Sequence, residues 1–150
     1  MSETIDLNYR LSPRWNKATR DRCDDASAAE LLYEMFLGDL VLRIGDSDFS
    51  APWGWVPILD IVRQFMAAVR SLSPAGRVDI DFTESDAVLT LASEDGFVTV
   101  SSTYSPGQSR VSIGDFDVAV QHFAANAIRD FEARCPGLRS NALMSDMIPR

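Results

Sequence analysis

The stretch from Val78 to Ile113 limits the possible folds more than any other, because it answers the same question three times. Its apolar residues alternate along the chain, as Val78, Ile80 and Phe82, then Ala87, Leu89 and Leu91, then Val100, then Val111 and Ile113. A four-residue loop at 83–86 pairs Phe82 with Ala87, Ile80 with Leu89 and Val78 with Leu91. A two-residue Asp95-Gly96 turn, a favoured hairpin pair, matches Leu91 with Val100 and Leu89 with Ser102. A third loop at 105–108 matches Ser102 with Val111 and Val100 with Ile113. A slip of one residue would turn every side chain to the other face. Three separately chosen turns nevertheless put one apolar set on one side, which predicts a four-stranded antiparallel meander. The other side carries Asp79, Asp81, Val88, Thr90, Thr99, Ser101, Thr103, Arg110 and Ser112, a small, polar set suited to water.

Two helical stripes supply cover for the apolar side. Ile58, Leu59, Ile61, Val62, Phe65, Met66, Val69 and Leu72 recur at steps of three and four, the period of an amphipathic helix. Pro57 suits its first position and Asp60 its positive N-terminal end. A second helix runs from about Gly114-Asp115 to Arg134, with Phe116, Ala119, Val120, Phe123, Ala124, Ala127, Ile128 and Phe131 as its stripe. Pro136-Gly137 stops it, and the tail through Leu143, Met144, Met147 and Ile148 either docks as a short helix or frays.

The N-terminal part is less legible. Ile5, Leu7, Tyr9 and Leu11 alternate with polar residues and predict a strand, and 14–26 reads as a polar surface loop. Residues 27–37 favour a helix by composition, with Asp25 or Ser27 to cap it and Gly38 to end it. One long bent strand is the rival, since Leu32, Phe36, Leu40, Leu42 and Ile44 keep even parity. From Asp39 to Gly45 the pattern predicts a strand with Leu40, Leu42 and Ile44 inward and Asp39, Val41 and Arg43 outward. The fold expected is α+β and one domain over 1–150. An antiparallel sheet, the meander plus N-terminal strands, carries two long amphipathic helices on one face.

Charge narrows the function. The net charge is −8, yet residues 1–22 hold five Lys and Arg against three Asp and Glu, leaving −10 for the remainder. Nucleic-acid binding requires clustered cations to neutralise phosphates, so nucleic acid is excluded as a partner and a basic protein is favoured. No apolar run approaches the roughly 20 residues of a membrane span. The opening Met-Ser-Glu-Thr-Ile-Asp has neither the basic nor the apolar region of a secretory signal. Cys23 and Cys135 lack metal or redox spacing and read as free thiols in a reducing cytoplasm.

No catalytic constellation, cofactor motif or metal site stands out. The pairs Asp46/Asp48, Asp79/Asp81 and Asp115/Asp117 are explained as turn, strand-surface and helix-start residues rather than cation ligands. His122, the single histidine, falls beside the helical stripe, with no nucleophile motif to partner it. Trp53-Gly54-Trp55 is the most distinctive tripeptide. Tryptophan is a common binding anchor, and a large apolar residue before a helix also packs on its first turn. Trp55 is expected in the core and Trp53 in solvent. Asp79, Asp81, Glu84, Asp86, Glu94 and Asp95 are expected to form one negative surface that steers a basic partner.

In size, charge and layout the chain resembles bacterial immunity proteins, the antidotes to polymorphic or contact-dependent toxins, many of them basic nucleases. The segments Gly-Asp-Leu-Val-Leu-Arg-Ile and Asp-Phe-Thr-Glu-Ser-Asp are also similar to those of an uncharacterised actinobacterial domain family. The first resemblance implies a non-catalytic inhibitor whose acidic side chains stand in for phosphates, with Trp53 as apolar anchor. Two rival readings remain. One is a ligand-binding or enzymatic module with a pocket between sheet and helices, using His122, Tyr33 or Tyr104. The other is a homo-oligomer paired through edge 109–113 or 77–82.

Overall fold

The computed structural model describes residues 3–13, 22–72, 76–83 and 85–146. Strand β1 (Ile5–Leu11) lies antiparallel to β2 (Leu37–Ile44), which also pairs with the short β3 (Ser47–Asp48) and with β4 (Ala51–Pro57). Helix α1 (Ile58–Ser71) follows, then the meander β5 (Arg77–Asp81), β6 (Val88–Glu94), β7 (Phe97–Ser102) and β8 (Ser109–Ser112). Helix α2 (Ile113–Arg134) and two 3-10 turns, Leu138–Ser140 and Ala142–Asp146, complete the described residues. The result is an α+β fold with two four-stranded antiparallel sheets. The N-terminal strands thus form a sheet of their own. The two sheets meet at a seam, where Glu3 N–H donates to the Arg110 carbonyl at 3.2 Å and Ser109 Oγ donates to the Ile44 carbonyl at 3.0 Å.

Helix α1 packs on β5, β2 and β4, α2 packs on β1, β7 and β8, and the helices pack on each other. Nearly all the expected stripe residues are buried in one continuous core with Leu40, Leu42, Ile44, Ile80, Leu89, Leu91 and Val100. Ser112 Oγ caps α2 by accepting from Asp115 N–H. Pro57 stands just before α1, with extended ψ, rather than inside its first turn.

The first two turns of the meander are as the alternation predicts. Val78 faces Leu91, Ile80 faces Leu89, Leu91 faces Val100 and Leu89 faces Ser102. Asp95 and Gly96 take φ of 54° and 82°, the left-handed pair a two-residue hairpin turn requires. The third register differs: Val100 faces Ser109 and Val98 faces Val111. Residues 103–108 form a longer connection because it is drawn towards the other sheet. Tyr104 Oη donates to the Phe49 carbonyl and Ser105 Oγ to the Asp48 carbonyl, each at 2.7 Å. The displacement is an even number of residues, so Val111 stays inward, while Ile113 opens α2 instead of extending β8.

Residues 27–37 resolve into a helical segment ending in a π-helical turn, Glu30–Glu34, then extended backbone. Ser27 and Glu30 cap each other reciprocally. Gly38 does not end this helix. It lies in β2, where an added Cβ would meet the Arg10 carbonyl oxygen at 2.0 Å, so the residue is small because β1 approaches closely. The helix-to-strand change is made by Phe36, at φ 56°, whose ring stacks 4.2 Å from Phe131. Val41 shares the outer face of β2 with Arg43 but is also buried, contrary to the outward expectation. Of the loop expected at 14–26, residues 14–21 lie outside the described residues, as do Met147 and Ile148. In the tail, Leu138 and Met144 are fully buried.

Cys23 and Cys135 are not free thiols. They form a disulfide, both fully buried, with 5.5 Å between their Cα atoms. Helix α2 ends where Cys135 meets the segment before the π-helical turn. Around the bond, Cys23 N–H donates to the Pro136 carbonyl at 2.9 Å, and Asn141 Nδ2 donates to the Cys23 and Ala26 carbonyls at 2.8 Å. Sequence spacing carried no sign of this, because 112 positions separate the two residues.

Candidate functional site

The Trp53-Gly54-Trp55 segment is a bulge in β4. Gly38 pairs with Val56 and Leu40 with Ala51, so two steps along β2 are matched by five along β4. The surplus arches out of the sheet, and its apex, Gly54, has φ 79°, open to glycine and strained for other residues. Asp39 Oδ1 holds the arch by accepting from Gly54 N–H at 2.8 Å. The two indoles stack with centroids 5.2 Å apart. Their burial is the reverse of the expectation. Trp53 packs edge-on against Phe82 at 5.3 Å and Tyr104 at 5.2 Å, whereas Trp55 is 37% exposed. The reason is that the 103–108 connection brings Tyr104 across to Trp53. Burial and the nearby Asp48 push the Tyr104 hydroxyl well above its ordinary pKa.

The outer face of the meander carries the acidic residues. Asp79 and Asp81 are exposed on it. Thr90 Oγ1 donates to Asp79 at 2.9 Å, and Arg77 Nε lies 3.5 Å from the same carboxylate. The cross-strand rows read Glu94–Phe97–Ser112, then Arg77–Ala92–Thr99–Arg110, then Asp79–Thr90–Ser101, then Asp81–Val88. Arg110 lies 4.3 Å from the centroid of the Phe97 ring. Two arginines therefore share this face with Asp79, Asp81 and Glu94. The five described carboxylates of the expected six are not one patch. Asp81 and exposed Asp86 sit at the β5–β6 end beside Phe82 and the Trp bulge, while Glu94 and Asp95 sit at the far end of β6. Six residue steps separate those ends, roughly 20 Å. Glu84 lies outside the described residues.

Charges at the start of α1 are structural. Asp60, buried at the start of α1, accepts from Arg63 Nε at 3.2 Å and Gln64 Nε2 at 3.0 Å. The Gln64 amide also bridges Asp81 N–H and carbonyl, both at 2.8 Å, which blunts the outer edge of β5. Edge 109–113 is likewise engaged, since Glu3 lies along it and its carboxylate accepts from Arg110 N–H at 3.0 Å. Neither edge named for self-pairing is fully open.

A surface groove of about 390 Å³ lies between Glu3, Thr4 and Ile5 and the α2 residues Asp115, Val118, Ala119 and His122. His122 thus does line a concavity, but one without Tyr33 or Tyr104. Among the described residues, no group of three or more His, Cys, Asp or Glu is gathered as a metal site would need, and no helix is long and apolar enough to cross a membrane. Compared with protein-family models, curated proteins and solved structures, the chain matches none of them.

Proposed function

We propose that the chain is a non-catalytic binding protein, an immunity-type inhibitor that neutralises a basic toxin or nuclease. The observation supporting this reading is the uncovered outer face of the meander, on which Asp79 and Asp81 are exposed, with Asp86 and the stacked tryptophans at the same end. Carboxylates on a firm sheet raise the encounter rate with a cationic surface, and an indole beside them adds contact area for binding. On this reading the footprint centres on Asp79, Asp81, Asp86 and Trp55. Trp53 supports Trp55 from below, and Glu94 and Asp95 contribute only long-range field.

The test is binding to a cationic toxin domain by calorimetry and stopped flow across a salt series. Asp79→Asn, Asp81→Asn and Asp86→Asn combined should slow association by about tenfold at low salt, an effect that fades at high salt. Glu94→Gln with Asp95→Asn should change it by less than about threefold. Salt-independent binding, or equal effects from the two sets, would refute the reading. Action in the cytoplasm belongs to the same proposal. Fractionation of intact cells followed by immunodetection of the chain tests the location directly.

A further inference from the structure

We propose that the outer edge of β1 is a strand-docking site that takes an extended, cationic segment of a partner protein. The proposal rests on the basic-partner reading for its charge, but it names a different surface and mode of binding. Two backbone bonds set the parity of β1. Gly45 N–H donates to the Thr4 carbonyl and Ser12 N–H to the Leu37 carbonyl, so the even-numbered residues of β1 pair with β2. The amides of Ile5, Leu7, Tyr9 and Leu11 therefore point the other way. Among the described residues no strand pairs with β1 on that side. Asn8 Oδ1 accepts from Tyr9 N–H at 2.9 Å and closes the edge there. The Glu3 bond to Arg110 closes it at the opposite end. Between these two stops, no described strand pairs with Ile5 or Leu7 on that side.

This edge borders the groove along α2, where β1 diverges from β8. Val118, 55% exposed, and Ala119 and His122 form the far wall, and Ile5 lies on the near one. Strand addition needs these two parts: backbone groups to pair with and a hollow for alternate side chains. Glu3 and Asp115 line the groove, so a segment carrying Lys or Arg is complementary there, whereas a second copy of this chain, at −8, is repelled.

Amide hydrogen exchange by NMR on the full chain tests this, with a capped nonapeptide alternating Lys and Val as probe. Without peptide, Ile5 and Leu7 should exchange quickly while Asp6 and Asn8 are protected. With peptide, Ile5 and Leu7 should slow by at least about tenfold. N-methylation of every second peptide residue should abolish the effect in one phase and spare it in the other. Val118→Lys, at an exposed position, should weaken binding about tenfold. Protection of Ile5 and Leu7 that rises with protein concentration alone would overturn the proposal in favour of self-pairing. Slow exchange at every dilution would overturn it in favour of cover by the chain itself, and no protection on adding peptide would also overturn it. Equal protection by an uncharged Ser-Val peptide would overturn the cationic half, and with it the link to a basic partner, while the docking edge itself stood.

Discussion

Replacing both Cys23 and Cys135 by alanine probes the least expected feature of this fold, and the geometry sets the size of the effect. The bond closes a loop of 112 residues. In the chain-entropy description, a loop of that length removes about 5 kcal/mol of freedom from the unfolded state. A chain of this size has a total stability of roughly 7–20 kcal/mol, so the loss is large but survivable. The surroundings favour survival, because the Cys23–Pro136 bond and both Asn141 bonds persist without sulfur. The variant should keep its native circular dichroism. Its urea midpoint should fall by on the order of 2 M, taking a denaturant slope near ~2 kcal/mol per M. Reducing the wild-type protein should reproduce that shift, and reductant should leave the double alanine variant unchanged. Equal midpoints for oxidised, reduced and double-alanine protein would refute the pairing, as would two titratable thiols in the unfolded, unreduced chain.

Three other perturbations address the bulge and its surroundings. Trp53→Ala should destabilise by about 3 kcal/mol in chemical denaturation, because it removes contacts with Phe82 and Tyr104, while Trp55→Ala should cost less than about 1 kcal/mol. Gly54→Ala meets no atom within 4 Å, so its loss of about 1 kcal/mol should come from the backbone at φ 79° alone; Gly38→Ala must separate β1 from β2, and its larger effect should appear as lost protection at Asn8 and Arg10. Burial raises the Tyr104 hydroxyl pKa, and burial with the Asp130 hydrogen bond raises that of Tyr9. Each group is protonated in both states below about pH 10. Above that the unfolded chain releases the proton first, so stability falls as pH rises, and Tyr104→Phe should make the alkaline slope shallower by up to one proton.

The sequence by itself determined which residues face the core in the two long helices and in β5 and β6 of the meander. The alternation at 78–91, the Asp95-Gly96 turn and both helical stripes are local patterns, readable without knowing what they pack against. For the same reason Asp79 and Asp81 were correctly expected in solvent. Only the tertiary structure decided the rest. The third turn lengthened because Tyr104 and Ser105 found acceptors in the other sheet. Trp53 rather than Trp55 was covered because that same loop and Phe82 reached it. Phe36 adopts a left-handed backbone against Phe131, and Cys23 meets Cys135, through contacts spanning most of the chain. The edge of β1 with which no described strand pairs is of this kind as well. Periodicity marks a strand and its apolar face, whereas the neighbour on each edge depends on where distant segments finally come to rest.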